Sequence, residues 1–345
     1  MRFRKKKIVF FTLLMVYIML AIVATAMGAA SITPKEVIVV ILKSLPIVGK
    51  HISRDIPNTY FSIILKVRMP RIIMASFVGM GLAVVGATFQ SLFRNPMADP
   101  HILGISSGAA LGATIGIVFK VPSALISSSF VTVFAFMGAM LTTIFVYYIA
   151  QVKGRVSVVN LLLAGSAVSF LLSALISIIM VFNHNDVNKI VFWMMGSFNA
   201  SSWNHIMIVA PVVVIGTSII YIFHRDLNLM LIGQENAMSL GVETERLKHI
   251  IIVTSSVMIA VCVSFSGIIG FVGFLVPHMV RLIFGPSNKY LIPFSALGGA
   301  LFLLLADTVA RTIVPPAELP VGAVTALIGT PYFIYLLIKM KERDV

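Results

Sequence analysis

Four ionisable side chains lie within or beside long apolar stretches and are the first candidates for chemistry: Asp307, Arg311, His278 and Arg281. A charge in a lipid-embedded segment is costly, so such a group is a functional candidate by default. Asp307 and Arg311 are four apart on one helix, where they can neutralise each other in a purely structural pair. An ion-coupled secondary carrier needs unpaired acids near the membrane midplane, and the chain offers almost none. Gly104-Ile-Ser106-Ser107-Gly108 matches the G-x-S-x-G pattern of serine hydrolases. That pattern works at a strand-to-helix turn, whereas here it falls at the mouth of an apolar helix. An intramembrane serine protease pairing Ser106 or Ser107 with His278 is therefore the alternative reading of these residues. No His-Glu-x-x-His stretch and no cysteine pair exists to hold a metal, and His51, His184 and His205 are scattered. No phosphate loop of the form G-x-x-x-x-G-K-[ST] occurs, so any work driven by ATP needs a second chain.

The elements that must position these residues follow from composition. Of 345 residues, 59% are hydrophobic and 11% charged, against about 25% charged in a soluble domain. The useful unit is therefore a spanning helix of about 20 residues. Apolar runs between charged or Pro/Gly-rich breaks predict ten spans, near 8–30, 71–93, 101–119, 124–150, 156–182, 204–223, 247–267, 271–285, 290–313 and 320–339. Backbone polar groups in lipid must be satisfied within the segment, and no alternation typical of barrel strands is present, so the expected fold is all-α. The single cysteine, Cys262, excludes an intrachain disulfide. The net charge of +14 sits between the spans, which favours topology and partner contacts over nucleic acid.

Arg2, Arg4, Lys5, Lys6 and Lys7 precede the first run, and Ala24-Thr-Ala26 resembles a signal-peptide cleavage site. The run is longer than a usual signal core, so a retained first helix is expected. Ten spans then put both termini on the cytoplasmic side, and Arg94, Lys153, Arg155, Arg225, Arg246, Lys248, Arg281, Lys289, Lys339, Lys341 and Arg343 agree. One external linker, about 31–66, disagrees. It carries Lys35, Lys43, Lys50, Arg54 and Lys66, with Arg68 and Arg71 just beyond.

Two features predict how the helices pack. Gly104, Gly108, Gly112 and Gly116 recur every fourth residue and give one helix a face that admits a close neighbour. The breaks Asn95–Pro100 and Gly267–Pro277 each follow a long span and precede a short Gly-rich one, which fits an inverted repeat of spans 2–5 and 7–10. Between spans 6 and 7, the stretch from Leu227 to Leu247 mixes acids and amides with Leu229, Leu231, Met238 and Leu240. It reads either as short amphipathic helices at the cytoplasmic surface or as an ordinary solvated loop.

Taken together these stretches resemble the FecCD-type permeases of iron-siderophore, haem and vitamin B12 ABC importers. The resemblance rests on Arg68-Met-Pro-Arg71, Gly86-Ala-Thr-Phe-Gln-Ser-Leu-Phe-Arg-Asn-Pro-Met-Ala-Asp-Pro100, Leu103-Gly-Ile-Ser-Ser-Gly-Ala-Ala110, Leu161-Leu-Leu-Ala-Gly165 and Trp193-Met-Met-Gly196. It continues through Gly233-Gln-Glu-Asn-Ala-Met-Ser-Leu-Gly241, Gly270-Phe-Val-Gly-Phe-Leu-Val-Pro-His278, Ala306-Asp-Thr-Val-Ala-Arg311 and Glu318-Leu-Pro-Val-Gly322, in family order from about residue 60 onward.

The resemblance implies one permease domain over 1–345 with the type II importer fold, in a bacterial or archaeal cytoplasmic membrane. It implies a homodimer, two cytoplasmic ATPases that bind ATP-Mg, an external binding protein, and no cofactor on this chain. The loop at 227–241 becomes the coupling element, with Leu229, Leu231, Gly233, Glu235, Met238, Leu240 and Gly241 facing the ATPase. Arg68, Arg71 and Arg311 become outward-facing docking groups for glutamates of the binding protein, and Val158, Val159 and Asn160 the cytoplasmic gate. The implied cargo is an iron(III) complex, siderophore or haem, with cobalamin as the alternative.

Overall fold

The computed structural model describes residues 3–28, 30–46, 56–119, 127–152, 155–314 and 317–341. Arg2, Lys50, His51, Arg54, Lys153 and Arg343 lie outside the described residues.

The described chain is helical apart from one two-stranded antiparallel hairpin, Gln151–Val152 with Arg155–Val156. Each of the ten apolar runs is a helix: α1 (Phe3–Ala26), α4 (Met69–Leu92), α5 (Ile105–Val118), α6 (Ser127–Ala150), α7 (Val158–Phe182), α9 (Trp203–Ile222), α12 (Thr244–Ser266), α13 (Val272–Phe284), α14 (Asn288–Thr312) and α15 (Val321–Lys341). Seven helices are long and apolar enough to cross a bilayer; those of α5, α13 and α15 are shorter apolar helices. Five further helices join them: α2 (Pro34–Ser44), α3 (Asn58–Phe61), α8 (Val187–Met194), α10 (His224–Leu231) and α11 (Gln234–Ser239).

The described parts of the linker, 31–46 and 56–66, form a packed layer. Thr33 and Glu36 form a reciprocal capping box that starts α2, with Pro34 in the first turn, where its missing N–H costs nothing. Val37 and Val40 then bury against Ala26, Ile32, Ile56 and Ile64. A π-helical segment, Ser62–Arg68, connects α3 to α4 without a break. The sequence reading stopped at the apolar period and missed this layer, because α2 is too short to register as a span.

Helix α4 is the axle of the bundle: 20 of its 24 residues are buried, whereas α6, α7 and α9 are mostly uncovered. Its close neighbours approach through glycines. A Cβ on Gly79 would strike the Gly299 carbonyl of α14, and one on Gly86 the Gly273 carbonyl of α13. The face predicted from Gly108, Gly112 and Gly116 lies against α6, where an added Cβ would meet Thr142 and the carbonyls of Gly138 and Phe134, or the backbone at Val131. Gly104, with φ 72°, faces the Gly165 carbonyl of α7 instead. Backbones this close gain dispersion contacts that lipid cannot supply.

The two Pro/Gly breaks meet. Helices α5 and α13 have 14 and 13 residues, about 20 Å each at 1.5 Å per residue, short of a roughly 30 Å hydrocarbon core. Irregular backbone at that depth needs partners inside the protein. His101 Nε2 lies 3.0 Å from the Ile269 carbonyl, and the Asp99 carboxylate accepts from the His101 N–H at 2.8 Å. Pro100 packs on Gly273. Helix α4 packs on α13 and α14 while α12 packs on α5 and α6, a reciprocal exchange between two groups of four helices.

Candidate functional site

Two polar clusters break the apolar bundle, one at each end of the long spans. The first gathers the residues of the Arg68-Met-Pro-Arg71 and Ala306-Asp-Thr-Val-Ala-Arg311 stretches. Arg71 clamps Asp307 from α14, with Nε 3.0 and 3.1 Å from its two oxygens and Nη2 at 2.9 Å. Its remaining terminal nitrogen reaches both oxygens of Glu318 at 2.9 Å. Bidentate guanidinium–carboxylate geometry is the strongest form of this contact, and it satisfies Arg71 and Asp307 where water is excluded.

The two other arginines finish a helix. Arg68 donates to the carbonyls of Thr25, Ala26 and Ala30 at 2.9, 2.8 and 2.7 Å. Arg311 donates to Met27 at 2.9 Å and to Ala24. The last carbonyls of any helix lack intrahelical donors, and the negative end of the helix dipole favours a cation there. Arginines from α14 and from the segment entering α4 thus dock the C-terminus of α1.

This corrects the expected geometry. Arg68, Arg71 and Arg311 are 6, 7 and 8% exposed, turned inward and engaged by acceptors of the same chain. They are not free groups awaiting an external glutamate. Nor is Arg311 the main partner of Asp307: it stands 3.9 Å away, while Arg71 is at 2.9 Å. An i, i+4 spacing flags a candidate pair but cannot see a competing helix. With Asp307 already paired, no unpaired acid for ion coupling is found there.

The second cluster lies at the opposite end of the bundle. Helices α10 and α11 are the short amphipathic helices expected of the 227–241 loop. Leu227, Met230 and Ala237 face the core, whereas Met238 and Leu240 are 52 and 60% exposed. Glu235 and Gly241 are also exposed. Leu229 and Leu231 are half-buried, Leu229 against the core, so they offer less free surface than expected. The residue missed was Ile232, 53% exposed between the two helices. Gly233 has φ 121° and makes the turn that only glycine adopts cheaply.

Next to this pair, Val158, Val159 and Asn160 form the first turn of α7, directly after the hairpin, and Val159 is exposed. A cleft of about 370 Å³ is lined by Val156, Ser157, Val158, Val159, Gln234, Glu245 and Lys248. Lys248 is buried among three acceptors: the Gln234 amide oxygen at 2.8 Å, Glu245 at 2.9 Å and the Val156 carbonyl at 3.1 Å. Glu245 in turn accepts from Val156 N–H at 3.1 Å and Gln234 at 3.0 Å. The positive-inside pattern counted Lys248 only as a loop charge and gave no sign of this closure.

Helix α7 leaves a long face uncovered. Val159, Leu163, Ser166, Phe170, Ser173, Ser177 and Val181 are exposed at steps of three or four. The face carries three hydroxyls, of which Ser166 donates to the Leu163 carbonyl and Ser177 to the Ser173 carbonyl of the same helix.

The hydrolase reading fails on geometry. Ser106 Oγ pairs with His101 Nδ1, five residues away, not with His278. His278 instead stacks on Phe274 and meets the Tyr332 ring. Ser106 is buried at the start of a helix, with no strand-to-helix elbow. Among the described residues no three His, Cys, Asp or Glu side chains group as a metal site. His205 packs on Phe265 and His184 is exposed.

Comparison with known proteins places these features. The model of the FecCD transport family matches residues 13–339. A cobalamin import system permease of Halobacterium salinarum is 43% identical over 290 residues, 84% of this chain and 76% of its own. A hemin transport system permease of Yersinia pestis is 40% identical over 283 residues, 81% and 84% of the two chains. Among solved structures, a metal-chelate type ABC transporter in an inward-facing conformation aligns with TM-score 0.82 and 32% identity, covering 96% of this chain and 99% of that one.

Proposed function

The chain belongs to the FecCD transport family and is the multi-pass permease subunit of an ABC importer, not its ATPase; from that premise we propose that it moves an iron(III) complex into the cytoplasm. The observation that carries the reading is the exposed apolar trio Ile232, Met238 and Leu240 on short helices beyond the span ends. Such a group in water calls for an apolar partner, and in this reading the partner is the ATPase, which holds the ATP-Mg.

Two copies of the chain face each other across the uncovered side of α7, and the serines Ser166, Ser173 and Ser177 line the path between them. Val158, Val159 and Asn160 close its cytoplasmic mouth as a mainly apolar constriction that excludes water. Both termini lie in the cytoplasm. The reciprocal packing of α4 on α13–α14 and α12 on α5–α6 supports an inverted repeat of spans 2–5 and 7–10. The binding protein docks on the outer layer that Arg68, Arg71 and Arg311 hold in place, and exposed Lys35 and Lys66 supply the positive charge that steers it.

The cargo is a metal chelate of the ferric siderophore or haem kind; the hemin relative supports an iron complex. Cobalamin is the second reading, supported by the Halobacterium salinarum relative at 43% identity. Proteoliposomes holding this chain with its ATPase and binding protein decide between them. ATP-dependent uptake of ferric siderophore or hemin, and not of cyanocobalamin, is expected. Uptake driven by a proton or sodium gradient without the ATPase would overturn the importer reading.

A further inference from the structure

The coupling helix and the gate are distinct segments of the chain, separated in sequence by about 75 residues. In the fold two side chains join them. Lys248 on α12 reaches Gln234, the first residue of α11, and the Val156 carbonyl, two residues before α7. Glu245, one turn earlier on α12, accepts from the same two partners. The joint therefore has three parts, the ATPase-facing helix and the strand leading into the gate, each bonded to a spanning helix that anchors both.

We infer that Lys248, with Glu245 and Gln234, is the positioning group that carries movement of α11 to the gate at Val158, Val159 and Asn160. This rests on the permease reading above and adds to it a specific mechanical link. The chemistry suits the task. A buried ammonium has no comparable alternative to its acceptors, because leaving them unpaired in a low dielectric is costly. When α11 shifts, Lys248 and Glu245 follow it and draw Val156 with them, rather than letting the contact lapse. The cleft beside the joint, lined by Val158 and Val159, supplies room for the first turn of α7 to move. An ordinary solvated loop contact would be exposed and replaceable by water. Lys248 is 4% exposed.

The test uses the full complex of this chain, its ATPase and its binding protein in proteoliposomes. Cys262, which is buried, is first changed by Cys262→Ser, and a nitroxide is attached through Val159→Cys. ATP with vanadate is expected to shift the nitroxide spectrum in this background. Gln234→Leu cuts α11 from the joint while leaving Lys248 paired with Glu245 and Val156. It should abolish the spectral shift while ATP hydrolysis stays within about twofold, and transport should fall by about tenfold, the usual size of a coupling between sites. Lys248→Met leaves only the Glu245 bridge between Gln234 and Val156 and should weaken the shift without abolishing it, and Lys248→Arg, which keeps the donor, should restore it.

A purely structural role would instead lower assembly and hydrolysis together in every variant, which overturns the proposal. So does a full spectral shift in Gln234→Leu. If Lys248→Met fails to assemble, Gln234→Leu alone decides, since it leaves no charge unpaired. Failure of the unlabelled complex, with no substitution in this chain, to bind the ATPase or to drive uptake with ATP would count against the importer reading instead, so the two failures are distinguishable.

Discussion

The two polar clusters of this bundle bury cations for different ends. At the outer end Arg71, Asp307, Arg68 and Arg311 tie α1 to α4 and α14, two long helices already locked together by glycine-mediated contact at Gly79 and Gly299. At the inner end Lys248 and Glu245 tie α12 to a six-residue helix and a two-residue strand, elements with almost no core of their own. Charges that join large packed elements fix their angle. Charges that join small elements to a large one set where those small elements go. The outer cluster is thus a brace and the inner one a linkage.

The sharpest way to break this contrast is to remove one partner from each. Arg71→Met strands Asp307, 1% exposed, in a dry site. Loss of one member of a buried pair costs about 3–5 kcal/mol, read as a large fall in the thermal unfolding midpoint in detergent. Replacing both, Arg71→Met with Asp307→Leu, should recover most of it, because the one carboxylate that then loses its cation, Glu318, is 36% exposed and reaches water. Glu245 is 34% exposed, so Glu245→Gln should cost far less stability. Equal losses at the two ends would erase the distinction.

A second test asks whether charge or packing holds the outer half. Gly79→Ala places a methyl on the Gly299 carbonyl, and backbone cannot move aside as a side chain can. Overpacking of this kind costs about 1–3 kcal/mol, measured by the same unfolding midpoint. A neutral result would leave the arginine cluster as the sole brace.

The same contrast explains what was legible in the sequence. Hydropathy sets the ten spans because lipid imposes one rule on every segment, and the spaced glycines of α5 announce a close neighbour. The partners of charged residues were not legible. Asp307 reads locally as paired with Arg311, yet Arg71, 236 positions away, takes it. Lys248 reads as one more cytoplasmic charge, yet the fold buries it. Arg68, Arg71 and Arg311 look outward by topology and face inward by packing. Periodicity reports which face of a helix is apolar. It cannot report which distant atom a long side chain will meet.

The linkage view also bears on the ATPase surface. Met238→Asp with Leu240→Asp puts charge on two exposed apolar positions of the inner face and touches nothing buried. Binding of the ATPase should weaken by about 1–2 kcal/mol or more if these are anchor residues, seen as loss of co-purification at an unchanged unfolding midpoint. Leu229→Ala, where the side chain is half-buried, should instead lower stability before it lowers binding. The reverse order would move the docking surface to the face turned toward the core.

The smallest expected effect lies at the rim of the brace. Glu318 is 36% exposed and shares Arg71 with Asp307. Glu318→Gln removes one charge where water can reach the remaining oxygen and amide, and Arg71 keeps its bidentate bond to Asp307. Partly exposed pairs contribute about 0–1 kcal/mol, so the unfolding midpoint should scarcely move, and less still at high salt. If Glu318→Gln destabilised the protein as much as Arg71→Met, the buried pair would not be the brace. The outer loop that carries Glu318 would then be holding the helices, and the contrast between the two ends would have to be redrawn around that loop.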